Sequence, residues 1–495
     1  MRRRAEEGRD TDDAARARLG LAPARRPRRR ALSRRGWVTL AVGVASAGLL
    51  AGLAIPVGAP LLGQISDRIA DDAEQHGPPR PVPEELLARL PNSSKVLELE
   101  RTGSSQSAGA ASAARPLRAP VDPGAAPRFV EWVEAPAGFA GPLRIEYALD
   151  AELGERVFAL LRRARVKRGH VVVLDVRTGR VMAYASVDPK ALPPSAAYPA
   201  ASLAKVVTVA ASLERDRQRA MQPCRYRGDP YRLNKARVHP ARGGHQATLE
   251  RALARSYNQC FAQLAVHALG DSEMQRAFAR FRWHVSPAPG HSRGLIDRGE
   301  GDYGLGKLGA GLANSRITAL YAAQLAGSLG SGELVDPWWI DRVVDTRGRE
   351  LLLPPRGGRH RVMQQETADE VRRMLVHTTT NGTARAAFRT PRGPRLGHVR
   401  VAGKTGNLTG SAPHARYEWF AGTAPAEDPR VAVAVLQAHG HLWWKMSAQI
   451  AADVFAELFC EKRRCSAERV ARYTGDLGPE MAPLLLGEAN DAPSG

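Results

Sequence analysis

The chain has 495 residues, 43% of them hydrophobic, and a formal net charge of +22. The apolar fraction is enough for a packed core and excludes a disordered protein, and the length leaves room for about two to three domains. The charge first raises nucleic acid as a partner, but much of the excess lies in residues 1–36, which hold 13 arginines against 5 acids. No nucleic acid is therefore expected.

That basic tail leads straight into residues 37–62, an uncharged stretch rich in Leu, Val, Ala and Gly. About 20 apolar residues cross a bilayer. Arg29, Arg30, Arg34 and Arg35 precede the stretch and Asp67, Asp71, Asp72 and Glu74 follow it, so the charge rule places the tail in the cytoplasm and the rest outside. The run and the tail before it are both long for a signal peptide. The expectation is a retained transmembrane helix, with the tail against anionic lipid.

Residues 63–142 are rich in Pro, Ala, Ser and Gly and read as a tether. A short amphipathic piece at 83–90 and a small packed segment near 129–133 interrupt it. From Leu143 the pattern is that of a globular domain reaching to 473, followed by a loose tail at 474–495. Residues 151–165 have helical spacing. Val171, Val172 and Val173 precede the turn Arg177-Thr178-Gly179, and Val181 to Ala185 follow it, which predicts an antiparallel hairpin. Helices are predicted after Ser202, over 249–269 with a break near the middle, over 314–329, over 366–378 and over 450–459. Strands are predicted at 399–402, 418–422 and 431–437. Two early strands, several helices, three late strands and a closing helix imply an α/β (α+β) fold, with a mostly antiparallel central sheet flanked by helices.

The four cysteines, Cys224, Cys260, Cys460 and Cys465, allow three pairings. Cys460 with Cys465 is local, which leaves Cys224 with Cys260; free thiols are the alternative. His439-Gly440-His441 lacks further ligands and reads as a surface turn, so no metal and no cofactor are expected.

Three motifs carry the chemistry. In Ser202-Leu203-Ala204-Lys205 the serine and lysine lie one helical turn apart, on one face. A serine there is often only a helix cap. A lysine among Ala, Leu and Val, however, is poorly solvated and yields a neutral amine, which can take the serine proton. In Ser256-Tyr257-Asn258 the second hydroxyl can relay a proton, and the amide can orient Lys205 and a substrate amide. In Lys404-Thr405-Gly406 a cation and a hydroxyl sit on a strand whose glycines permit close approach, which fits a substrate ending in a carboxylate. The backbone N–H of Asn407 is a candidate oxyanion donor beside that of Ser202.

These motifs, in this order, resemble those of penicillin-binding protein transpeptidases, and the likeness covers about 143–459. Gly382-Thr383-Ala384, Trp419-Phe420-Ala421-Gly422 and 431–436 are similar to segments that flank the family's lysine-threonine-glycine strand. The resemblance implies that Ser202 is acylated by a peptidoglycan stem peptide and by β-lactams, with Lys205 and Ser256 catalytic and Asn258, Lys404, Thr405, Gly406 and Asn407 binding substrate. It implies a membrane-anchored D,D-transpeptidase of the bacterial inner membrane, working beside a glycan polymerase or a division or elongation complex. Asn407 stands where the family often has threonine, and Thr318-Ala319 where Thr-Pro is usual. Nothing before Leu143 resembles a glycosyltransferase or a pedestal domain, which points to a short-stalked monofunctional member. Alternatives on the same pocket are a D,D-carboxypeptidase, a β-lactamase, or a non-catalytic penicillin-recognising scaffold.

Overall fold

A computed structural model describes residues 80–90 and 128–474, apart from 135, 137, 314, 412, 441, 442 and 463. The predicted tail at 1–36, the predicted span at 37–62 and all but the first residue of the predicted tail at 474–495 lie outside this set. Among the described residues no helix is long and apolar enough to cross a membrane.

Much of the described part of the expected tether carries structure. Helix α1 (Glu84–Leu87) buries Leu86, and Pro81 bridges to Leu352. Strand β1 (Arg128–Val133) pairs with β2 (Leu143–Asp150). Helix α2 (Ala151–Arg163) starts where the Asp150 carboxylate accepts from the Leu153 N–H at 2.7 Å, so one of the unpaired donors of its first turn is satisfied.

The predicted hairpin is β3 (Gly169–Asp175) and β4 (Val181–Val187). Then come α3 (Ala204–Arg215), α4 (Leu249–Arg255), α5 (Asn258–Gln263), α6 (Asp271–Arg280), α7 (Gly301–Ala310) and α8 (Ala319–Ser331). Helix α8 begins later than predicted, because Arg316–Ile317 is a short strand and the Thr318 hydroxyl caps the helix from outside, accepting from the Tyr321 N–H. Ala319 therefore occupies the first helical position, where proline is tolerated but not required. Strand β5 (Ile340–Val344) adds to β2, making a small antiparallel sheet β1-β2-β5. Helix α9 (Gln365–Thr380) precedes β6 (Ala402–Ser411), β7 (His414–Ala424) and β8 (Val431–His439), and α10 (Ser447–Phe459) closes the domain.

The central sheet has the order β6-β7-β8-β3-β4, every neighbouring pair antiparallel. It is buried on both faces, so its inner strands read as unbroken apolar runs instead of alternating ones. On β8, Ala432, Ala434, Leu436 and Ala438 point into the core shared with α3 and α8, while Val431, Val433 and Val435 point into the core shared with α2 and α10. Strand β3 divides the same way, with Val172 and Leu174 on one side and Val171 and Val173 on the other. The fold is thus mixed α/β with an antiparallel sheet, as expected.

Both disulfides form, Cys224–Cys260 and Cys460–Cys465. The first joins residues 36 apart, a constraint on the unfolded chain worth roughly 4 kcal/mol in the loop-closure picture.

Removing the α2 cap with Asp150→Ala should lower folding stability by about 1 kcal/mol, measured by urea unfolding. An unchanged midpoint would mean that the Leu153 N–H finds another acceptor.

Candidate active site

Ser202 lies in a single 3-10 turn, Ala201–Leu203, that runs directly into α3. Neither the turn nor the helix has a side-chain cap, so the serine is not a capping residue and its hydroxyl is left for other work. The preceding Ala201 is held at φ +50°, the left-handed region that side chains other than glycine's seldom occupy. Gly311 presses on this turn from behind: a Cβ there would lie 2.2 Å from the Ala201 carbonyl oxygen. The backbone just before Ser202 is thus wedged into a conformation it would not choose alone.

Lys205, one turn on, is fully buried. Its Nζ lies 2.7 Å from Ser202 Oγ, 2.8 Å from Asn258 Oδ1 and 3.2 Å from Ser256 Oγ, and 5.6 Å from the centre of the Phe261 ring. Burial, and then the charge of Lys404, push its pKa well below that of an ordinary lysine. A neutral amine in this position has two N–H bonds for the Asn258 and Ser256 oxygens and a lone pair for the Ser202 proton.

The predicted break in 249–269 is what brings Ser256 and Asn258 to Lys205. Helix α4 stops at Ser256, which adopts φ +62° as its left-handed C-cap, and Tyr257 is extended before α5 starts at Asn258. A continuous helix would put Ser256 and Asn258 on different faces. The kink lets both reach one nitrogen. After α5 the chain widens into a π-helical turn, Leu264–Leu269.

Strand β6 forms the other wall. Gly406 meets the Ala201–Leu203 turn so closely that a Cβ would lie 3.2 Å from the Ser202 backbone nitrogen. Lys404 is 1% exposed, donates to the Thr405 carbonyl at 2.9 Å, and is pushed down to a pKa of about 7 by burial. Asn407 is exposed, one residue along from the glycine contact. Thr405 Oγ1 lies 2.6 Å from Thr383 Oγ1. Thr383 was not among the predicted site residues. It is held there by the Gly382 turn, where a Cβ would strike the Ala254 carbonyl oxygen at 2.4 Å, and by its own N–H, which donates to that oxygen at 3.1 Å. The turn thereby links the end of α4 to β6.

Ser202, Lys205, Ser256 and Asn258 thus share one hydrogen-bonded centre, and Gly406 lies directly against it. His439 is elsewhere, 3.3 Å from a Glu418 oxygen and stacked on Trp443; His441 lies outside the described residues. Among the described residues no group of three or more His, Cys, Asp or Glu side chains is placed to hold a metal ion.

Residues 169–459 match the family model of the penicillin binding protein transpeptidase domain. The chain belongs to this family. Among curated proteins it is 25% identical over 322 residues to peptidoglycan D,D-transpeptidase PbpA of Mycolicibacterium smegmatis, covering 55% of this chain and 62% of that one. To stage V sporulation protein D of Bacillus subtilis it is 27% identical over 279 residues, 51% of this chain and 40% of the other. The chain therefore spans less than two thirds of the length of these relatives. Solved structures share the fold. The D,D-transpeptidase domain of a peptidoglycan glycosyltransferase from Eggerthella lenta superposes with a TM-score of 0.52 at 22% identity, covering 67% of this chain and 84% of that one. Penicillin binding protein 3 of Mycobacterium tuberculosis, complexed with aztreonam, gives 0.51 at 19%, covering 63% and 78%.

The buried Lys404 makes stability depend on pH. The unfolded chain holds this proton up to the ordinary lysine pKa and the folded one releases it near 7. Between these values the unfolded state binds more protons, so stability rises with pH. Chemical unfolding at pH 7 and pH 9.5 should show a smaller rise in Lys404→Met than in the wild type. An equal rise in both would mean that folded Lys404 keeps its proton across this range, as an ordinary solvated lysine does.

Proposed function

We propose that the chain is a serine D,D-transpeptidase that cross-links peptidoglycan stem peptides and is acylated by β-lactams at Ser202. The observation that carries this reading is the buried Lys205 amine, 2.7 Å from the Ser202 hydroxyl and away from any carboxylate or imidazole among its hydrogen-bond partners. Family membership and the relatedness to a peptidoglycan D,D-transpeptidase support it.

In this reading Ser202 Oγ attacks the penultimate D-alanine carbonyl carbon while its proton passes to Lys205 Nζ. The backbone N–H groups of Ser202 and Asn407 receive the oxyanion. The C–N bond to the terminal D-alanine breaks, and the leaving nitrogen takes a proton from Lys205 through Ser256 Oγ. An amine of a second stem peptide then attacks the ester carbon and restores the Ser202 hydroxyl. The hydroxyls of Thr405 and Thr383, paired at 2.6 Å, receive the terminal carboxylate. Lys404 sits close to its neutral point near physiological pH, and an arriving carboxylate draws it into the charged form.

The same proposal takes residues 143–473 as the transpeptidase domain and 37–62 as a membrane anchor, with the domain outside the cytoplasm beside its polymeric substrate. The anchor rests on the uncharged run and the arginines before it.

Incubation of the full chain with a fluorescent penicillin tests the reading. The wild type should hold a stable label for hours, and Ser202→Ala should hold none. Lys205→Ala should acylate slower by roughly 10²–10⁴, the range of a lost acid–base group. Rapid loss of label from the wild type would indicate a β-lactamase, and no label at all a scaffold.

A further inference from the structure

Helix α5 is strapped from outside by the segment 224–231. Gln263, the last residue of the helix, donates from Nε2 to the Arg225 carbonyl at 2.9 Å, and the other ties fall near Asn258. At one end Cys224, in the short strand Cys224–Tyr226, is disulfide-bonded to Cys260. In the middle Gln259, 1% exposed, holds the strap with its whole amide. Its Nε2 donates to the Arg227 carbonyl at 3.0 Å and to the Asp229 carbonyl at 2.7 Å, and its Oε1 accepts from the Arg227 N–H at 3.2 Å. Its own backbone N–H, one of the unpaired donors of the first turn of α5, goes to the Pro230 carbonyl at 3.1 Å. At the far end the Tyr231 carbonyl accepts from Asn258 Nδ2 at 2.7 Å, and the Tyr231 ring stands edge-on to Tyr257 with centroids 5.7 Å apart.

The last bond decides which way the Asn258 amide faces. A carbonyl oxygen only accepts, so the NH₂ end must lie toward Tyr231 and the oxygen toward Lys205. That is the arrangement found, with Oδ1 2.8 Å from Nζ. We propose that the strap is a positioning device for Asn258, and that Gln259 is the positioning residue that seats it. Gln259 acts only through Asn258: it fixes the flip of the amide and, with it, the acceptor that Lys205 sees. The inference rests on the acyl-serine reading above.

The role has a signature that mere structural support lacks. Lys404, from β6, is the charged group that acts on Lys205. The remaining partners are the Ser202 and Ser256 hydroxyls, Asn258 Oδ1 and the Phe261 ring. An amide oxygen facing the amine favours its protonated form, whereas an amide NH₂ facing it does not. Freeing the flip should therefore move the acid limb of the acylation rate to lower pH while slowing the plateau.

The test measures the acylation rate of the full chain with fluorescent penicillin against pH, for wild type, Gln259→Ala, Asn258→Ala and the double variant. Gln259→Ala should lose roughly tenfold at the plateau, what one ordinary hydrogen bond is worth, and its acid limb should shift down. In the Asn258→Ala background Gln259→Ala should slow the reaction no further. If Gln259→Ala does not fold, Cys224→Ser with Cys260→Ser releases the covalent end of the strap and is held to the same criteria. A wild-type rate and acid limb in Gln259→Ala, or a loss that multiplies in full onto that of Asn258→Ala, overturns the positioning role while leaving the acyl-serine reading intact. A wild type that never labels at Ser202 overturns both.

Discussion

One amine organises this domain. Lys205 is withdrawn from the solvent that would otherwise compensate its charge, and the site supplies instead three oxygens, from Ser202, Ser256 and Asn258. Burying an ammonium costs several kcal/mol and so favours release of its proton, while the three oxygens offset part of that cost. The oxygens arrive from two separate segments. Their convergence needs two local departures from regular structure, the left-handed Ala201 before Ser202 and the left-handed Ser256 between α4 and α5. Neither residue is glycine, so each conformation is imposed by its surroundings. At Ala201 the packing shows how: Gly311 lets backbone press against the turn where a methyl group would collide, and Gly406 approaches it from β6 where one would be crowded.

The electrostatics have a second centre that acts on the first. Lys404 is also buried, and its charge lowers the proton affinity of Lys205. Two lysines withdrawn from water near one another cannot both be comfortably charged. In the proposed mechanism the one beside Ser202 serves as the base, and the one on the strand gains a counter-charge from the substrate carboxylate. The roles follow from the environment of each nitrogen, since the side chains are chemically identical.

Much of the frame was legible in the sequence because the central strands β3 and β8 are continuous apolar runs and α10 has a clean apolar stripe. The serine–lysine spacing could be read because three residues is close to one helical turn. What could not be read was what tertiary context decides. Helices α6 and α7 went unpredicted. Helix α7 in particular contains glycines at 301, 304, 306 and 309, a poor helix signal, yet Gly306 and Gly309 are where Ala262 and Ala265 approach closely. Thr383 was noticed only as part of a family-like segment, because nothing local reveals that a turn 22 residues before Thr405 will face it. The strap was invisible for the same reason: Gln259 looks like an ordinary helix-surface amide until the loop 227–230 is folded over it.

The strand order has a consequence for how the molecule comes into being. Strand β3 takes as its inner neighbour β8, from the far end of the domain, with Asp175 opposite Val431. Such pairing between remote segments gives a high contact order and slow folding. A ribosome must finish nearly the whole domain before the early hairpin can be covered on both sides, so its Val171–Val173 run stays open to misassembly for most of synthesis. The nascent chain therefore has a long interval in which chaperone capture competes with aggregation.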